Sequence, residues 1–129
     1  MKQKSPITVA LVDDHKIFRQ GLIEVLNHLG YKVTLQASNG RELLEQLLEN
    51  DSPAICILDI HMPEMDGFET TRHLRVSYPE IKILAFSTDN TDLSVSRMLS
   101  CGAHAFLEKG GSLDDISESL SSILAVTTH

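Results

Sequence analysis

Asp13, Asp14, Asp59, Ser87 and Lys109 lie far apart in the chain, yet each follows within two residues of a short apolar run: Ile7–Val12, Ala54–Leu58, Ile81–Phe86 or Ala105–Leu107. If these runs are strands of one parallel sheet, their carboxyl ends share an edge and the polar groups meet there. Carboxylates about 4 Å apart repel by about 4 kcal/mol at an effective dielectric near 20, so such a cluster calls for a cation. Hard oxygen donors completed by waters and a phosphate suit Mg²⁺ better than calcium or zinc. The charges then balance, because three carboxylates are offset by the divalent ion and the Lys109 ammonium. An added phosphoryl group would have its oxygens neutralised by the metal and Lys109, with the Ser87 hydroxyl donating to a third. This is the equipment of phosphoryl transfer, which relies on positioning and charge neutralisation. Asp59 is the expected nucleophile, attacking phosphorus in line to form an acyl phosphate. The turn from His61 to Gly67 is expected to offer a backbone carbonyl to the metal, with Pro63 stiffening the loop and Gly67 allowing the turn.

The elements that must position these residues can be read from periodicity. The apolar runs are β-branched and lack a helical period, as strands buried on both faces do, and Lys32–Ala37 supplies one more. Between them Phe18, Leu22, Val25, Leu26 and Leu29 recur at helical spacing up to Gly30, a C-cap glycine. Leu43, Leu44, Leu47 and Leu48 mark a second helix before the Asn50-Asp51-Ser52-Pro53 breaker, and Phe68–Val76 a third, stopped at Tyr78-Pro79. Thr91–Cys101 holds the fourth, and Ser112 with Asp115 caps a fifth that runs to about Leu124. Strand and helix alternating five times predict an α/β fold, a doubly wound five-stranded parallel sheet of flavodoxin-like order 2-1-3-4-5.

Composition narrows the function. At 129 residues with 42% hydrophobic content the chain reads as one domain over 1–129, and its tail from Ala125 to His129 holds no second one. An output module is therefore expected elsewhere. The net charge of −7 and the scatter of basic residues from Lys2 to Lys109 argue against direct nucleic-acid binding. No apolar run approaches the roughly twenty residues that cross a bilayer, and Asp13-Asp14-His15 stands where a signal peptide would need a small-residue cleavage site. A cytoplasmic location with no membrane partner is expected. Cys56 and Cys101 lack C-x-x-C spacing and read as packing residues.

The motifs Leu11-Val12-Asp13-Asp14-His15, Leu58-Asp59-Ile60-His61-Met62-Pro63-Glu64-Met65-Asp66-Gly67, Phe86-Ser87 and Phe106-Leu107-Glu108-Lys109 together resemble the receiver domain of two-component response regulators. The resemblance spans nearly the whole chain. It implies that Asp59 is the phosphoacceptor, with Lys109 contacting phosphate. It also implies that Asp13, Asp14, Asp59 and the His61 main-chain carbonyl hold Mg²⁺. Ser87 and Phe106 match the paired switch positions, and the implied partner is a sensor histidine kinase. A homodimer formed on phosphorylation is an assembly the resemblance allows. Asp-Asp-His near Arg19-Gln20-Gly21-Leu22 is similar to the subgroup that precedes a LuxR-type helix-turn-helix, which implies control of a DNA-binding output domain.

Two positions depart from the family. Gly110-Gly111 follows Lys109 where proline is common, so no cis peptide is expected there. Thr88 follows Ser87 where a small residue is usual, which predicts narrowed access to Asp59. His61 and Asp89 occupy positions that in this family flank the path of hydrolytic water. A Mg²⁺-dependent phosphohydrolase and an unphosphorylated pseudo-receiver are the alternatives; the first lacks its usual second acid, because His61 stands two residues after Asp59. Flavin binding is disfavoured by two tyrosines and no tryptophan.

Blander roles fall to the remaining candidates. His15, His28, His73, His104 and His129 read as solvated or structural, and Asp66 as a cap or turn former. Thr91, Asp92, Ser94, Val95, Ser96 and Ser100 are weak helix formers, which predicts a marginal fourth helix.

Overall fold

Residues 5–125 are described by a computed structural model. Five strands, β1 (Ile7–Val12), β2 (Tyr31–Ala37), β3 (Ile55–Leu58), β4 (Lys82–Ser87) and β5 (Ala105–Glu108), alternate with α1 (Lys16–His28), α2 (Gly40–Leu47), α3 (Gly67–Ser77), α4 (Asp92–Cys101) and α5 (Leu113–Ala125). They pair in parallel in the order β2-β1-β3-β4-β5. This is the expected flavodoxin-like sheet, with boundaries moved by a residue or so: Ala54 and Ile81 lie just before their strands, and Tyr31 joins its own. The tail readings for Val126 to His129 fall outside the described residues.

The sheet is covered on both sides, which explains its lack of polar alternation. Ala10, Val12, Cys56, Leu58, Ile83 and Ala85 pack with residues of α2, α3 and α4, including Leu43, Leu47, Leu74 and Met98. Val9, Leu11, Ile55, Ile57, Leu84 and Phe86 pack under α1 and α5 against Leu22, Leu26, Ile116, Leu120 and Ile123. Both cysteines are free, and burial pushes the Cys56 thiol up to about 12, as suits an inert packing residue. Edge strand β2 alternates half-buried and exposed residues over Tyr31–Thr34.

Local signals set the helix ends. Asn39, Asp66 and Thr91 accept the N–H groups of Glu42, Glu69 and Ser94 at the starts of α2, α3 and α4. Ahead of α5, Ser112 N–H donates to Asp115 Oδ2 at 3.1 Å and Asp115 N–H to Ser112 Oγ at 3.2 Å, the reciprocal cap expected. Gly30 follows α1 at φ 96°, in the left-handed region.

Gly67 allows the turn through close approach of the backbone rather than through a left-handed conformation. The left-handed residue between β3 and α3 is Glu64, at φ 65°, not Gly67. Gly67 instead lacks a side chain because there is no room for one: a Cβ there would lie 2.3 Å from the Asp59 carbonyl oxygen. Its N–H donates to Ile60 O at 2.6 Å, folding the loop back under β3.

Candidate functional site

The strand-end residues meet at the carboxyl edge of the sheet. Asp13 and Asp59 are carried there by adjacent strands: Asp59 N–H donates to Val12 O at 3.0 Å, and Asp13 N–H to Ala37 O at 3.0 Å. Both carboxylates are buried, with side chains 7% exposed. Lys109 Nζ bridges them, at 2.6 Å from Asp13 Oδ2 and 3.1 Å from Asp59 Oδ2. Its backbone N–H is anchored to Ser87 O at 3.0 Å, which fixes where the side chain enters. The ammonium also lies 4.2 Å from the centroid of the Phe18 ring, an aromatic face on which a cation is favoured. Asp59 Oδ1 accepts the N–H of Ile60 at 2.7 Å.

Asp14 sits on the more open side, with its side chain 34% exposed. Donor atoms of Asp13, Asp14, His15 and Asp59 all lie within 4.8 Å of one another. Three carboxylates and one ammonium leave excess negative charge in a half-buried space, and hard oxygen donors of this kind fit a small divalent cation. These residues could hold such an ion.

Ser87 is buried at the end of β4, where its Oγ accepts Asp89 N–H at 3.1 Å; its hydroxyl is not hydrogen-bonded to Asp59 or Lys109. Phe106 pairs with Ala85 across the β4–β5 ladder, so it shares a sheet face with Ser87 two residues on. It is half-buried against the core under α4. Thr88 is exposed beside them.

His61 and Asp89 pair with each other, Nε2 to Oδ2 at 2.6 Å. Hydrogen bonds from His61, Ser94 and Thr91 hold the Asp89 carboxyl well below the usual carboxylate range. Asp89 thereby ties the loop after β4 to the first turn of α4, through Thr91 Oγ1 at 2.9 Å and Ser94 Oγ at 2.7 Å. Asp66 caps α3, as expected, rather than facing the acids.

Three contributors are beyond the pattern of strand ends. His15, 67% exposed, turns Nδ1 toward Asp13 and Asp14. Phe18, legible only as an apolar position of α1, floors the lysine. Arg19 donates from Nη1 to the Asp13 carbonyl, one turn into the same helix. The signal available was their position on the first turn after Asp13-Asp14.

Comparison with known proteins agrees with this geometry. The response regulator receiver domain family matches residues 9–121. The chain is 34% identical over 120 residues to response regulator GacA of Pseudomonas protegens, covering 92% of this chain and 56% of that one. It is 36% identical over 119 residues to transcriptional activator protein ExaE of Pseudomonas putida, covering 91% and 55% respectively. It thus spans about half the length of these relatives. A solved two-component response regulator of the LuxR family from Aurantimonas sp. superposes with a TM-score of 0.87 at 28% identity, covering 94% of this chain and 86% of that one. Sequence match, sheet order and the acids gathered at one edge lead to the same place: the chain belongs to the response regulator receiver family, with relatives of the LuxR type.

Proposed function

We propose that the domain is a phosphorylation switch that accepts a phosphoryl group on Asp59 from the phosphohistidine of a sensor kinase. The observation that carries this reading is the Lys109 ammonium shared between Asp13 and Asp59, 2.6 and 3.1 Å away, beside the open Asp14. An Asp59 carboxylate oxygen attacks phosphorus, the P–N bond to the donor imidazole breaks, and an aspartyl phosphate forms. Mg²⁺ held by Asp13, Asp14, Asp59 and the His61 carbonyl would neutralise charge on the phosphoryl oxygens. Lys109 contacts one of those oxygens, and the Ser87 hydroxyl turns from its loop partner to donate to another.

Withdrawal of Ser87 frees space on the sheet face it shares with Phe106, and the ring rotates into it. The surface of α4, β5 and α5 changes as a result. Phosphate acts by favouring one of two packings, and inverting a 1:99 balance takes about 5.5 kcal/mol of differential stabilisation. The readout is a DNA-binding output module, in keeping with a relative named as a transcriptional activator. The kinase is a separate partner, and the receiver itself makes no nucleic-acid contact.

Incubation with Mg²⁺ and acetyl phosphate followed by intact-mass measurement tests this. Wild type is expected to gain one labile phosphoryl group and Asp59→Asn none. Turnover of acetyl phosphate without accumulation would instead support a phosphohydrolase, and no reaction at all a pseudo-receiver.

A further inference from the structure

We propose that the His15 imidazole is a side-chain ligand of the divalent ion, and that it shifts the pocket's preference from Mg²⁺ toward first-row transition-metal ions. This rests on the metal-dependent reading of the acidic pocket above and extends it to metal selectivity.

Geometry is the first support. His15 Nδ1 lies 3.1 Å from Asp13 Oδ1 and 3.4 Å from Asp14 Oδ1, and it belongs to the group of donors mutually within 4.8 Å that includes Asp59. An octahedral ion with bonds of about 2.1 Å places adjacent ligands about 3.0 Å apart and opposite ones about 4.2 Å apart. The two short separations match adjacent positions, and small side-chain rotations close the rest. Lys109 does not compete for this side, because it takes Asp13 Oδ2 and Asp59 Oδ2 while His15 faces Asp13 Oδ1.

The position of His15 in the chain holds it there. It is the N-cap residue of α1 with an extended backbone, and its own N–H donates to Asp13 Oδ1 at 2.9 Å. Without an ion, Nδ1–H donates to the same carboxylate. Metal binding at Nδ1 requires the proton on Nε2, and with the ring 67% exposed that N–H can be hydrated. The imidazole adds a donor without adding charge, so the balance of three carboxylates, one ammonium and a divalent ion is undisturbed.

The chemical consequence follows from donor type. Mg²⁺ favours oxygen, whereas imidazole suits later first-row ions, whose affinities rise from Mn²⁺ to Ni²⁺. Calorimetric titration of the protein with Ni²⁺ alone and with Mg²⁺ alone, for wild type, His15→Ala and His15→Gln, reads the effect. Both variants are expected to lose about tenfold or more in Ni²⁺ affinity while Mg²⁺ affinity changes by less than about twofold. Asp13→Asn should abolish the Ni²⁺ site, which separates it from adventitious binding at other histidines. Pulsed electron paramagnetic resonance of Mn²⁺-loaded wild type should show imidazole nitrogen coupling that both His15 variants lack. Equal Ni²⁺ affinity in wild type and variants, a parallel loss for both metals, or nitrogen coupling that persists in the variants would overturn the assignment of His15. Failure of wild type to bind either metal would overturn the metal pocket itself, a separate result that the acetyl phosphate experiment reports independently.

Discussion

Gly67 shows how tightly the pocket is built around single atoms. An alanine methyl there would fall 2.3 Å from Asp59 O and 2.8 Å from Ile60 Cα, both backbone atoms that cannot step aside without moving Asp59. Gly67→Ala is expected to destabilise the fold by about 3 kcal/mol and to slow phosphorylation in the molecules that remain folded; denaturant unfolding and acetyl phosphate labelling measure the two. Thr88 is expected to bear on access rather than on packing. It is exposed beside the buried Ser87. Thr88→Ala should therefore be labelled faster by acetyl phosphate, and equal rates would remove Thr88 as a gate. Asp13, Asp14, Asp59, Ser87 and Lys109 were legible in the sequence because each follows an apolar run, and strand ends share an edge in this fold. His15, Phe18 and Arg19 were not. Their contribution depends on the rotational phase of α1 and on how far the lysine reaches, neither of which a spacing encodes.

Among the elements, α4 is the least secured. It buries Met98 and packs Cys101 against its core, whereas α1 buries Leu22 and Leu26 and packs Phe18, Ile23 and Val25 against its own. Leu93 on α4 is 79% exposed. Its first turn is tied instead to the Asp89 carboxylate, which also pairs with His61, two residues after Asp59. Few buried contacts, with a tether to a residue two positions after Asp59, are what the proposed switch needs. Amides of residues 92–101 are expected to exchange with deuterium faster than those of 18–29, and equal protection would argue against a mobile α4. The weak helix formers raise the same expectation from sequence; the Asp89 tether depends on a loop conformation that they do not specify.

At the scale of the whole molecule, stability is linked to pH through a residue remote from the acids. His104 stands just before β5, where its Nδ1 accepts Ile83 N–H at 3.0 Å and its own N–H donates to Ile83 O at 2.9 Å. Burial first, then the charges of Arg75 and Lys82, holds its pKa below the ordinary histidine value of 6.5. The unfolded chain takes up this proton more readily than the folded one, so the contribution is complete above pH 6.5 and is lost as pH falls through the lower folded value. Thermal midpoints of wild type should drop over that window more steeply than those of His104→Gln, and parallel curves would remove His104 as a cause. Sheet order and the division of helices between two faces were legible because alternating strands and helices admit few right-handed solutions. The His104 contact was not, since a lone histidine before a strand gives no hint of which backbone amide it will meet.

The bridge from Lys109 back to Asp13 joins residues 96 positions apart. During synthesis β1, β3 and β4 leave the ribosome before their ammonium partner does, so a nascent chain can gather its acids while still lacking the counter-charge. Only when β5 docks does Lys109 reach Asp13 and supply that counter-charge.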